Sequence, residues 1–184
     1  MRKVTAGLFH SIDGVVEAPD KFQFDSFDNE LGEEMGTIMG NISTVLMGRV
    51  GYSEWSQYWP NARQDHDFAG FINGVQKFVA SETLRPSDIS WSNARLIEGD
   101  FLDFVRDLKA DEGGDIAAMG GISLVRQLLF AGLLDELALI THPVIAGNGK
   151  HLFEPGDATT RLELVRSRQT SKGNVIQVYR RKPA

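Results

Sequence analysis

Residues 113–153, GGDIAAMGGISLVRQLLFAGLLDELALITHPVIAGNGKHLF, constrain this chain more than any other segment. They read as a strand, a Gly-Gly turn, a helix and a longer strand that ends in a glycine loop. A strand that runs into paired glycines at a helix start brings unpaired backbone N–H groups, and the positive end of the helix dipole, up to whatever lies above the turn. That environment suits phosphate, so the segment points to a nucleotide or dinucleotide ligand. The pattern G-x-G-x-x-G is absent, and paired glycines also serve plain tight turns. The rest of the chain must decide.

Its 184 residues suffice for one domain with a substantial core, and no repeat, low-complexity tract or linker interrupts them. The pattern predicts strands at Val4–Phe9, Ser43–Met47, Lys77–Ala80, Ala94–Ile97, Ile116–Met119 and Glu136–Ile145. Helices are predicted over Phe27–Met39, Val50–Tyr58, Phe68–Val75, Phe101–Ala110 and Ile122–Ala131, with Asp100 as an N-cap and Gly132 as a stop. Leu162–Ser171 and Asn174–Arg181 read as a terminal hairpin. Early strands alternate with helices, which predicts a mainly parallel sheet covered on both faces. The last three strands are expected to add antiparallel edges. A net charge of −6 argues against nucleic acid as a partner. No window approaches a membrane span, the N-terminus lacks a signal-peptide pattern, and the absence of cysteine frees the fold from redox compartment. A cytoplasmic location is expected.

Several residues could carry chemistry. Gly48 and Arg49 end a strand and open a helix, which is either a second phosphate site or a solvated arginine after a turn. Ser81 and Thr83 follow the third strand and could donate to a ribose or a phosphate. Glu82 between them would accept from a ribose hydroxyl and repel a phosphate, and a polar turn before Pro86 explains the same residues. Ser11, Asp13 and Gly14 sit in the loop after the first strand. Asp13 is the best candidate for proton transfer, with Glu17 a weaker one, although Asp-Gly is also a common turn dipeptide. Trp55, Tyr58 and Trp59 suit either a pocket for a flat ring or a core. His10, His66, His142 and His151 show no ligand spacing, so no metal is expected, and His142 reads as a core histidine. Neither G-x-S-x-G nor a P-loop occurs.

Placed in order, these segments resemble the dihydrofolate reductase-like superfamily. The nearest branch is that of the C-terminal reductase domain of the bacterial riboflavin deaminase–reductase. The markers are SIDGVVEAP at 11–19, VLMGRVGYSEW at 45–55, KFVASETL at 77–84, GGDIAAMGGISLVRQLLFAGLLDEL at 113–137 and HPVIAGNGKHLF at 142–153. The resemblance implies a three-layer α/β sandwich, with a mostly parallel sheet of about eight strands and an antiparallel C-terminal hairpin. It implies a small-molecule reductase using a nicotinamide cofactor, usually NADPH, and a homodimer. Gly48, Arg49 and Tyr52 would lie near the cofactor phosphates. Ser81 and Thr83 would lie near the adenosine ribose, and Gly120, Gly121, Ser123 and Leu124 would hold the pyrophosphate. Ser11, Asp13 and Gly14 would border nicotinamide and substrate, with Glu17 and Trp55 also placed near the substrate. The reaction implied is reduction of a ribosylamino-pyrimidine to its ribitylamino form, with Asp13 or an ordered water giving the proton. Two departures stand out. The helix acid of dihydrofolate reductases falls on Gly32, with Glu33 and Glu34 adjacent, which disfavours folate reduction. Glu82 stands where the branch often carries a basic residue, which admits NADH, although Arg49 could still meet a 2′-phosphate. No deaminase zinc motif is present, so in riboflavin synthesis another protein would deaminate.

Overall fold

A computed structural model describes residues 1–182. The chain opens with β1 (Val4–Ser11), a long loop and α1 (Asn29–Met39), then β2 (Ile42–Gly48), α2 (Arg49–Tyr58) and α3 (His66–Gly74). It continues through β3 (Gln76–Ala80), β4 (Ala94–Leu96), α4 (Phe101–Ala110), β5 (Asp115–Ala118) and α5 (Ile122–Phe130). It closes with β6 (Glu136–His142), β7 (Leu162–Gln169) and β8 (Val175–Arg181). All eight strands form one sheet in the order β4-β3-β2-β5-β1-β6-β8-β7. The run from β4 to β6 is parallel, β8 is antiparallel to β6, and β7 is antiparallel to β8.

Strand periodicity builds the three layers. On β2, Leu46 faces one side of the sheet, where it packs with Val105 and Leu108 of α4 and Val125 and Leu128 of α5. Its neighbours Val45 and Met47 face the other side, where Tyr52 of α2 and Ile72 of α3 cover them. On that same side, Leu31 of α1 packs on Ile140 of β6 and Ile176 of β8. β2 and β5 are therefore covered on both faces, which is why their sequences read as apolar runs rather than clean alternation.

Two expectations need correction. β6 is not an antiparallel edge: it pairs in parallel with β1 over Thr5–Ser11, because α5 is a crossover that returns the chain to the sheet in the same direction. It also ends earlier than Ile145. Pro143 has no N–H to donate, and Val144 N–H turns back to the carbonyl of His142 at 2.7 Å. The capping expectations agree with the structure: the Asp100 side chain accepts from Asp103 N–H, and Gly132 follows α5 with φ of 71°. The first helix starts later than Phe27, because Asp28 caps it by accepting from Leu31 N–H at 2.8 Å.

Candidate functional site

In open α/β sheets a ligand crevice forms at the carboxyl ends of the strands, where the strand order reverses. Here the chain steps outward from β1 to β2, β3 and β4, then returns to insert β5 between β2 and β1. The ends of β3, β2, β5 and β1 thus lie side by side at the reversal.

Two helices start at this point. Gly48 at the end of β2 is the N-cap of α2, Gly121 after β5 is the N-cap of α5, and neither helix has a side-chain cap. Their starts are in contact. A Cβ added to Gly51 would lie 1.9 Å from the carbonyl oxygen of Gly120, and one on Gly121 would lie 3.2 Å from Gly48 N. Gly120 itself has φ of +65°, a conformation that favours glycine. The first-turn N–H groups of two helices therefore converge with no side chain to satisfy them, and two dipole ends add there. Arg49 and Ser123 are exposed beside this junction, whereas Leu124 is buried and could serve only through its backbone. The junction fits a bridging diphosphate: it supplies amides, positive potential and the bare backbone that close approach needs.

The next strand inward is open. β1 lies inside the sheet, yet Gly7 is exposed, and nothing lies within 4 Å of where its Cβ would be. The gap runs between α1, over β6 and β8, and the α2–α3 layer, over β2 and β3. Glu34 fixes how α1 is turned. Its nearly buried carboxylate pairs with Arg166 and Arg168 of β7, at the far edge of the sheet. At about 100° per residue, Gly32 and Gly36 then lie on the opposite flank, toward β1. The result is a trench floored by Gly7 and flanked by Gly32 and Gly36, with Phe27 packed edge-on to Phe9 at its α1 side, beside the paired helix starts.

At the end of β1 the trench meets two interlaced loops. Ile12 N–H donates to Val144 O, Val16 N–H to Lys150 O, and Glu17 takes both the backbone N–H and the ammonium of Lys150. Asp13 clasps the same pair of loops, accepting from Ala146 N–H at 2.9 Å and Gly147 N–H at 2.8 Å. The Ser11 hydroxyl and these two amides lower its pKa to about 2. That conflicts with the expected role of proton donor, since Asp13 is ionised at neutral pH and both its oxygens are engaged. Ser11 is fully buried and accepts from Val15 N–H, and Gly14 has φ of +87° with His151 Nδ1 3.2 Å from where a Cβ would lie. Outside the loops a cleft of about 360 Å³ separates Glu17, Lys21 and Phe24 from Ile145 and Asn148.

The other expected residues divide. The Ser81 hydroxyl accepts from Thr83 N–H at 3.1 Å and Leu84 N–H at 3.0 Å, forming the turn after β3 with Thr83 exposed on it. Tyr52 does not reach the junction. It is buried, and its hydroxyl holds the 88–91 loop by accepting from Ser90 N–H at 2.9 Å. Trp55 packs edge-on against Trp59 and Phe68 between α2 and α3 rather than lining the trench. His142 is fully buried, with Nδ1 2.7 Å from the Ser26 hydroxyl, and desolvation lowers its pKa. Among the described residues no group of His, Asp or Glu could hold a metal ion, and no helix is long and apolar enough to cross a membrane.

The family model of the RibD C-terminal domain matches residues 2–176. The chain belongs to that family. A relative within reach of sequence comparison is the uncharacterized protein YyaP of Bacillus subtilis (strain 168), 30% identical over 182 residues, covering 97% of this chain and 94% of that one. The RibD C-terminal fold is similar to that of a putative riboflavin biosynthesis protein from Shewanella sp. PV-4, with a TM-score of 0.77 at 19% identity and full coverage of both chains. It is also similar to a diaminohydroxyphosphoribosylaminopyrimidine deaminase/5-amino-6-(5-phosphoribosylamino)uracil reductase from Thermotoga maritima, with a TM-score of 0.67 at 14% identity. That match covers 98% of this chain and 57% of the other. A dihydrofolate reductase from Enterococcus faecalis, complexed with NADP(H), matches with a TM-score of 0.65 at 14% identity over 98% of this chain and 97% of that one.

Two glycines of the junction and trench escaped the sequence reading. Gly51 lies inside α2, where glycine costs about 1 kcal/mol relative to alanine, and that cost signals a required close approach. Gly7 lies inside a strand, where glycine marks the approach of a backbone or a ligand.

Proposed function

We propose that this chain is an oxidoreductase that reduces a small heterocyclic substrate with a nicotinamide coenzyme, of the kind that converts a ribosylamino-pyrimidine to its ribitylamino form. The observation that carries this reading is the open trench over Gly7 next to the junction of two uncapped, glycine-started helices. A bound coenzyme would supply the hydride. The junction amides and Arg49 would hold its diphosphate, and Ser123 would add a hydroxyl to the same cradle. The trench would let a flat ring lie against the backbone of β1 with reacting carbon and donor face to face. The laced 11–17 and 143–151 loops would close its end and limit access of water. With Asp13 held as an anion, the proton for the substrate nitrogen would come from water in the trench.

Family membership and the likeness to reductases support the reaction class. The acids of α1 do not favour pterin as the substrate, because Glu34 is committed to Arg166 and Arg168, and Glu33 is exposed. The reading includes a homodimer, which sedimentation velocity would check. The deciding experiment mixes purified protein, reduced coenzyme and either the ribosylamino-pyrimidine or dihydrofolate, and follows loss of nicotinamide absorbance. Oxidation is expected with the pyrimidine alone, and it should vanish in Gly7→Leu, which fills the trench, while circular dichroism stays unchanged. Coenzyme that binds yet is never oxidised would leave a nucleotide-binding protein without turnover.

A further inference from the structure

We infer that Glu82 sets the choice of coenzyme, and that the chain binds the dinucleotide lacking a 2′-phosphate, NADH, in preference to NADPH. This rests on the reductase reading above and adds the identity of its coenzyme.

The order of strand ends fixes which half of a dinucleotide meets which residue. The helix junction lies at β2 and β5, and the trench lies over β1 on one side of it. A dinucleotide with its diphosphate at the junction and its reactive ring in the trench must carry its other ribose to the opposite side, over the end of β3. Strands lie about 4.8 Å apart, so the distance from β3 to β1, three spacings, is about 14 Å, a span suited to two nucleosides joined through a diphosphate. β2 and β3 leave the sheet together, since Gly48 is paired with Ala80. Arg49 therefore follows β2 into the helix beside the junction, while Ser81, Glu82 and Thr83 follow β3 under the ribose.

The turn after β3 is rigid and presents Glu82. Ser81 Oγ receives the N–H groups of both Thr83 and Leu84, which ties the loop down on either side of Glu82 and leaves that residue exposed at its corner. Among the described residues no cation lies within ion-pairing distance of Glu82, although nine such pairs form elsewhere. An uncompensated carboxylate at this place does two things. It accepts from the vicinal hydroxyls of an unsubstituted ribose, and it repels a 2′-phosphate carrying a charge of about −1.5 to −2. Arg49 is exposed at the start of α2, and a role in holding the diphosphate, which both coenzymes carry, would strengthen both alike.

The test is equilibrium titration with NADH and with NADPH, read by nicotinamide fluorescence, on the protein and on Glu82→Gln, Glu82→Lys and Arg49→Ala. The protein should bind NADH at least tenfold more tightly, and the NADPH deficit should shrink as salt rises. Glu82→Gln should remove most of the preference, Glu82→Lys should reverse it, and Arg49→Ala should weaken both coenzymes by a similar factor. Tighter binding of NADPH by the protein, or an unchanged ratio in Glu82→Lys, overturns the assignment of Glu82 while leaving the reductase reading in place. Failure of both coenzymes to bind the unsubstituted protein would remove the reading beneath it.

Discussion

Asp13 shows how far a residue's role depends on what surrounds its oxygens. In the sequence it is the better of two acids, with Glu17, beside the expected substrate site, and proton donation is the natural assignment. In the structure its two oxygens are taken by the N–H groups of Ala146 and Gly147, with the Ser11 hydroxyl adding a third stabilising contact. An acid whose pKa is lowered to about 2 is overwhelmingly ionised at neutral pH, which disfavours it as the donor. Its work is to position the loop pair at the end of the trench. Asp13→Asn keeps an acceptor for one amide and loses the charge. Turnover should therefore fall by less than about tenfold, with KM rising and the pH–rate profile between pH 5 and 8 unchanged in shape. A loss of 10²-fold or more in kcat, at the size expected of a removed general acid and without change in KM, would restore Asp13 as the donor. No spacing rule could have exposed this, because the amides that hold Asp13 come from residues more than 130 positions away.

At the scale of elements, local signals were legible and long-range ones were not. Asp100 announces a helix start because a cap needs only the next three residues. The Gly48 and Gly121 helix starts were legible for the same reason. Where β6 would sit was not, since its partner β1 lies at the other end of the chain and an apolar run fits an edge or an interior equally well. Nor was the contact between α2 and the β5–α5 turn, which depends on Gly51 meeting Gly120. Gly51→Ala makes that contact testable. A methyl group 1.9 Å from a backbone oxygen cannot be accommodated by a rotamer change, so α2 must move off the turn. We expect a stability loss of about 1–3 kcal/mol and loss of coenzyme binding. Gly70→Ala in α3 is the matched control: nothing lies within 4 Å of its Cβ position, and helix propensity alone should stabilise it by up to about 1 kcal/mol. Urea denaturation of both variants separates the two effects. Equal behaviour of the pair would mean that the two helix starts do not touch in solution.

Across the whole molecule, ionisable groups tie distant segments together, and most of the shifted ones favour folding at higher pH. Glu17 joins the 11–17 loop to Lys150, Asp157 holds Arg126 of α5, and Glu163 joins β7 to Arg180 of β8. Each is held below its ordinary pKa by its hydrogen-bonded cation. Such a group stabilises the fold above its unfolded pKa, and the benefit is lost as pH falls through the folded value. His10 and His142 act in the same direction, because burial lowers their pKa and the unfolded chain takes up their protons first as pH drops below 6.5. Lys77 extends the trend to the alkaline side. It is fully buried, its ammonium donates to the carbonyls of Ile72 and Val75 at 2.8 Å, and desolvation lowers its pKa from 10.5 to about 8. Between those two values the unfolded chain binds the extra proton, so this residue makes stability rise with pH there. The urea midpoint should therefore climb from pH 3 to 7, level off, and climb again relative to a Lys77→Met variant from pH 8 to 10. That variant should be less stable at every pH, because it leaves the carbonyls at the end of α3 without their donor. If the two proteins instead run parallel from pH 8 to 10, the Lys77 ammonium is solvated in the folded chain, and the close packing of α3 on β3 around it is looser than the structure shows.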